Sequence, residues 1–244
     1  MKKWLIANWK MNGHKEKVAN FVRNISISHD QNCTKLIYCP PHPYLLLAHE
    51  EIKKKDSHMR FCLGGQDLSI QNPQGAYTGE VDASMLKDCG AHYVLIGHSE
   101  RRQYYKEDDG VLFQKLSASI HHQITPIFCV GESYDDYKKG LTFEVIQQQL
   151  EILQLSQSNL CQCIIAYEPV WAIGTGLTPN VEELEIIYGF LRSIIKNGDS
   201  FPILYGGSVT QRNFPTINQT SFDGFLLGSA SLDVDTINNI IKNL

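Results

Sequence analysis

Eight short apolar runs punctuate the chain: KWLIA, TKLIYC, MRFCLG, YVLIG, TPIFCVG, CIIAYE, FPILYG and DGFLLG. Each is about strand length and rich in Ile, Leu, Val, Phe or Tyr. Most are continuous rather than alternating, as expected of parallel strands covered on both faces. Between them the spacing turns helical. Over residues 181–197, Leu184, Ile187, Tyr188, Leu191, Ile194 and Ile195 mark one apolar face. Glu182, Glu183 and Glu185 fill its first turns, where the helix dipole favours acids. Residues 111–122 and 143–155 read the same way.

Strands alternating with helices, with no Gly/Ser/Pro-rich linker between them, predict a single (β/α)8 barrel and one domain over residues 1–244. A doubly wound open sheet is the rival architecture. It usually carries a glycine-rich dinucleotide turn after the first strand, and LIANWKMNG stands there instead.

Composition narrows the function classes. With 43% hydrophobic and 20% charged residues the chain reads as a soluble globular protein. A net charge of −4 argues against a nucleic-acid or anionic-membrane partner. The N-terminal apolar run is too short for a signal peptide, and no apolar stretch approaches the ~18 residues of a membrane span, so a cytoplasmic location is expected. The seven cysteines form no CxxC pair. Cys39 and Cys129 lie in apolar runs and read as buried thiols in a reducing compartment, while Cys161 and Cys163 would share one face of a strand. No Cys/His cluster has zinc-ligand spacing, so no metal site is expected.

In such a barrel the residues just after each strand face the candidate site. The fourth strand shows this clearly: YVLIGHSERR passes from apolar to charged at Gly97, leaving His98 and Glu100 at its end. The first strand offers Asn8 and Lys10, which would point the same way if the strand continued through Trp9. The sixth offers Glu168. A lysine, a histidine and a carboxylate on separate strand ends can move protons beside a carbonyl. The seventh and eighth strands end in YGGS and LGS, placing Gly206, Gly207, Ser208, Gly228 and Ser229 where such barrels commonly bind phosphate. Finally, EPVWAIGTGLTP joins Glu168 to Pro179 through small residues flanked by prolines, the pattern of a hinged lid. Trp171 within it needs something to cover.

Taken together, ANWKMNG, GHSERR, AYEPVWAIGTG and LYGGSV closely resemble the triosephosphate isomerase family, in order and at its usual separations. The resemblance implies a TIM barrel that interconverts dihydroxyacetone phosphate and D-glyceraldehyde 3-phosphate in glycolysis and gluconeogenesis, without a cofactor. It implies that Glu168 removes a carbon-bound proton while an uncharged His98 polarises the carbonyl. Both roles are known properties of the family, a standard example of a base working beside a neutral histidine, and spacing alone does not supply them. It further implies that Lys10 balances the substrate's charge with Asn8 beside it, and that Glu100 pairs with Lys10. Gly174, Ser208, Gly228 and Ser229 match the phosphate contacts, and Arg101 and Arg102 read as structural or interface ion pairs. The loop QGAYTGE, from Gln74 to Glu80, resembles the segment through which one subunit docks into another, with Thr78 near the neighbour's site, implying a homodimer.

Two positions depart from the family's pattern. Ser229 stands where a second glycine is usual, and Leu177, Thr178 and Pro179 form the distal hinge where a basic first residue and a third alanine are common. Negative φ at Ser229, with its hydroxyl capping the following turn, would leave its N–H free for phosphate. Other enzymes that could share these strand ends are a Schiff-base aldolase, with Lys10 as its amine, or a different ketose–aldose isomerase. A non-catalytic phosphosugar sensor would not need Glu168 and His98 together.

Overall fold

Neighbouring residues along each apolar run go to opposite sides of the sheet. In β1 (Lys3–Asn8), Leu5 and Ala7 pack outward against helices while Ile6 packs inward. The same alternation separates Leu36 from Ile37 in β2 (Cys33–Cys39) and Phe128 from Cys129 in β5 (Thr125–Val130). Both sides are apolar because both are covered. That accounts for runs that are continuous rather than alternating. The remaining strands are β3 (Phe61–Gly65), β4 (Ala91–Ile96), β6 (Ile164–Tyr167), β7 (Ile203–Tyr205) and β8 (Gly224–Leu227). All pair in parallel in chain order, and β8 returns to β1 to close the barrel. This computed structural model describes residues 3–27, 33–55, 60–72, 74–155, 163–173, 177–195 and 202–244.

Helices α1 (Lys15–Asn24), α2 (Leu45–Lys55), α3 (Ala83–Asp88), α4 (Ser99–Tyr104) and α5 (Asp109–His121) follow the first four strands. After β5 come α6 (Tyr134–Lys138), α7 (Thr142–Leu155), α8 (Val181–Ile194), α9 (Phe214–Ile217) and α10 (Val234–Lys242). Local chemistry starts them. Asp82, Asp108 and Ser133 cap α3, α5 and α6 by accepting a backbone N–H two or three residues into the helix. Asn180 and Glu183 form a reciprocal capping box on α8. The three helices expected from periodicity are α5, α7 and α8; Asn197 and Cys161 lie outside the described residues.

Inside the barrel Ile6, Ala166, Leu204 and Leu226 belong to one packed cluster. Two residues further along the same strands stand Asn8, Glu168, Gly206 and Gly228. They inherit the inward direction, so the site is the layer above the interior core. The thiols of Cys39 and Cys129 are fully buried, and burial pushes both well above the usual range. Among the described residues no helix is long and apolar enough to cross a membrane.

Candidate active site

β4 ends where Gly97 takes φ +73°, a left-handed conformation in which a side chain is strained. The chain turns there, and His98 becomes the N-cap of α4. Its Nδ1 accepts the Glu100 N–H at 3.2 Å. A ring nitrogen that accepts carries no proton, so this bond assigns the neutral tautomer with hydrogen on Nε2. That Nε2 lies 3.1 Å from Glu168 Oε1. The other carboxylate oxygen, Oε2, accepts the Ser99 N–H at 3.0 Å. Glu168 is 2% exposed and His98 5%, so this contact is shielded from water.

Glu168 itself is placed by its neighbours. Its N–H donates to Val130 O at 2.7 Å. Gly131 lies so close that a Cβ on it would fall 1.8 Å from the Glu168 carbonyl oxygen. Gly206 faces the side chain, where a Cβ would meet Glu168 Cγ at 3.0 Å. A Cβ on Gly207 would meet the Tyr205 hydroxyl oxygen at 2.2 Å. Packing alone therefore requires small residues after β7, before any ligand is considered. Gly228 differs, since a Cβ there would make only ordinary contact with Lys10 Cε at 3.5 Å.

Lys10 arrives by a route the spacing did not predict. β1 stops at Asn8, and Lys10 has φ +51°, which is uncommon outside glycine. Three contacts over-determine that conformation. Its N–H donates to Asn8 Oδ1 at 2.9 Å, its carbonyl accepts from Gln66 Nε2 at 2.8 Å, and its Nζ lies 2.6 Å from Glu100 Oε1. Backbone strain held in place this way is common at functional sites.

Asn8, Lys10, His98, Glu168, Ser208, Gly228 and Ser229 line one cavity of about 220 Å³. Glu100 stands behind Lys10. Gly174 lies outside the described residues. Ser229 has negative φ, as expected, but caps nothing: Gly228 occupies the cap position, and its carbonyl accepts the Ser231 N–H and hydroxyl. Beyond Glu168 a second cavity of about 480 Å³ opens between Ser99, Arg102, Gln149 and Trp171. Among the described residues no cluster of metal-binding side chains occurs.

Trp171 is stacked on Tyr137 with ring centroids 4.3 Å apart, and its Nε1 donates to Glu132 Oε1 at 2.8 Å. Tyr167 adds its hydroxyl to the same carboxylate. Burial raises the Glu132 carboxyl above the ordinary range against these bonds. At the other end of the segment Thr178 Oγ1 accepts from Asn213 Nδ2 at 3.2 Å, and that same nitrogen donates to Ser208 O at 2.9 Å. Arg101 pairs with Glu107 and Asp67, and Arg102 bonds the Gly97 and Cys129 carbonyls, so both are held within the chain. Glu132 and Gln66 were not among the residues expected here. Gln66 follows the glycine that ends β3 and Glu132 the glycine just past β5, so the strand-end rule applied to those two strands would have found them.

The chain matches the sequence profile of triosephosphate isomerase over residues 3–244. A triosephosphate isomerase of Xanthomonas oryzae pv. oryzae is 39% identical over 239 residues, covering 95% of this chain and 93% of that one. Those of Yarrowia lipolytica and Shewanella woodyi are 39% and 38% identical, covering 95% and 93% of this chain and 96% and 91% of theirs. The likeness runs through every strand that contributes to the cavity, and the chain belongs to the triosephosphate isomerase family.

Proposed function

We propose that this isomerase interconverts dihydroxyacetone phosphate and D-glyceraldehyde 3-phosphate by moving a proton between adjacent carbons through an enediolate. The observation that carries the reading is the buried contact of Glu168 Oε1 with His98 Nε2 at 3.1 Å, in a cavity that also holds Lys10.

Glu168 is the base. It takes the carbon-bound proton and returns it to the neighbouring carbon. His98 is the electrophile, because its Nε2–H can donate to the substrate carbonyl and to the enediolate oxygen that develops from it. In the free protein that donor faces Glu168. A substrate carbonyl that displaces the carboxylate from Nε2 leaves both groups facing the reacting carbons. Lys10 supplies the positive charge between the phosphate and the enediolate, and Asn8 a further hydrogen bond. Glu100 holds Lys10, and Ser208, Gly228 and Ser229, with Gly174 from the lid, receive the phosphate. No cofactor takes part.

The active form is a homodimer docked through the loop from Gln74 to Glu80. The exposure of that whole loop supports this, as do Met11, Leu46, Tyr77 and Met85, which are 95%, 57%, 46% and 41% exposed. The enzyme works in the cytoplasm on triose phosphates of glycolysis and gluconeogenesis, and binds neither nucleic acid nor membrane. A Schiff-base aldolase is disfavoured, since Lys10, its candidate amine, is ion-paired with Glu100.

A coupled assay with glyceraldehyde 3-phosphate tests the reading. Parent protein should turn over, and Glu168→Asp, which withdraws the carboxylate by one methylene, should lose about 10²-fold in kcat. Unchanged turnover in the variant would overturn the assignment of the base.

A further inference from the structure

β5 loses its neighbour before the site is reached. The β4–β5 ladder ends at the Ile96–Phe128 pair, because Gly97 turns the chain away into α4. Beyond that pair the peptide groups of β5 still alternate sides. Val130 O accepts from Glu168 N at 2.7 Å and Glu132 O from Val170 N at 3.2 Å, both on the β6 side. The groups of Cys129 and Gly131 face the side that β4 has left.

Two side chains replace the missing strand there. Arg102 Nη2 donates to Cys129 O at 3.2 Å. Gln149, from α7, does more: its Oε1 accepts the Gly131 N–H at 2.8 Å, and its Nε2 donates to Gly131 O at 3.1 Å. A primary amide offers a donor and an acceptor in one plane, as a peptide does, so Gln149 completes the ladder as a strand residue would.

The geometry points to Gln149 as a positioning residue for Glu168, an inference that rests on Glu168 being the base. Gly131 touches the Glu168 backbone with no slack, since even a methyl group would lie 1.8 Å from its carbonyl oxygen and 2.6 Å from its carbonyl carbon. A peptide held at both its N–H and its C=O fixes where the end of β5 stands. That end fixes Glu168 through the Val130 carbonyl and fixes the start of the lid through the Glu132 carbonyl. Gln149 therefore acts on the base from the outer helix layer, through one glycine.

Gln149→Leu preserves side-chain size and helix propensity and removes both bonds. Its kcat for glyceraldehyde 3-phosphate should fall about 10- to 100-fold, with KM within about threefold. The deuterium isotope effect on removal of the carbon-bound hydrogen should rise, because a displaced base slows proton transfer. A variant that is merely less stable would have fewer active sites and an unmoved isotope effect, and that result would overturn the proposal. If the leucine variant does not fold, Gln149→Glu decides. Its ionised carboxylate accepts from Gly131 N–H but opposes Gly131 O; protonation restores a donor. Its kcat relative to the parent's should therefore climb as pH falls, and a flat ratio overturns the proposal. Glu168→Asp in the same assay separates the two claims. If it is impaired while Gln149→Leu is not, only the role of Gln149 fails; if neither is impaired, the base itself has been misassigned and both fall.

Discussion

Trp171 Nε1 donates to Glu132 Oε1 at 2.8 Å, pinning the segment that follows Glu168 to the residue after Gly131. The carboxylate that receives this bond is fully buried, and burial raises its pKa above the ordinary glutamate range.

The pH dependence follows from that direction. A raised carboxyl holds its proton in the folded protein at pH values where the unfolded chain has lost it. Its contribution to stability is therefore complete below the ordinary glutamate value and is lost as pH rises through the folded value. Glu132→Gln keeps an acceptor for Trp171 and cannot ionise. Measured across that window, the Tm of the variant should gain on the parent's as pH rises. Parallel Tm curves would refute a raised Glu132.

The backbone contact between Gly131 and Glu168 separates stability from catalysis when compared with Gly206. Gly131→Ala drives a methyl into the backbone, which cannot yield without parting β5 from β6. Overpacking of this kind costs about 1–3 kcal/mol, and kcat should fall about 10²-fold with the displaced base. Gly206→Ala instead meets the Glu168 side chain, at 3.0 Å from Cγ. It should lower kcat with a smaller change in Tm. Thermal melts beside steady-state kinetics check both, and the ordering fails if Gly206→Ala proves the less stable variant.

What was legible in the sequence was whatever a local period encodes. The strands were readable because burial on both faces makes them continuous apolar runs. Asn8 and Glu168 were readable as strand-end residues that keep the inward direction of Ile6 and Ala166. Lys10 was found for the wrong geometric reason, since its positive φ ends the strand that was expected to carry it. The positions of Glu132 and Gln66 were open to the same strand-end rule, but their partners were not: Trp171 is 39 residues from Glu132, and Lys10 is 56 from Gln66. Bonds across such separations leave no periodic trace. Ser229 was expected to cap a turn that the Gly228 carbonyl already closes.

The loop at Tyr77 and Thr78 carries the oligomer prediction. It is exposed along its length, and Tyr77 presents an aromatic ring to solvent. Tyr77→Glu with Thr78→Asp should break the proposed dimer by removing an aromatic anchor and forcing two carboxylates out of water where the loop docks. Activity should fall with it, because the docked loop would brace Asn8 and Lys10 of the other subunit. Gly79 is left alone, since at φ +93° a side chain would be strained for reasons of its own. Sedimentation showing fully active monomers would contradict this.

Ser229 lines the candidate cavity beside Gly228, and no hydrogen bond holds its side chain among the described residues. Ser229→Gly therefore strands no polar group, and its negative φ needs no glycine. The cost is confined to unfolded-state entropy, at most about 1 kcal/mol, and KM for glyceraldehyde 3-phosphate should change less than about threefold. Ser229→Asp is a different experiment. It places a carboxylate beside the proposed phosphate site, and two like charges a few ångströms apart repel by several kcal/mol at an effective dielectric near ~20. Lys10 offsets part of that, yet its charge is already shared with Glu100 at 2.6 Å. KM should rise at least ~30-fold, the equivalent of about 2 kcal/mol, while a substrate analogue lacking the phosphate should feel the aspartate far less. An unaltered KM in Ser229→Asp would mean that the phosphate does not sit at the end of β8.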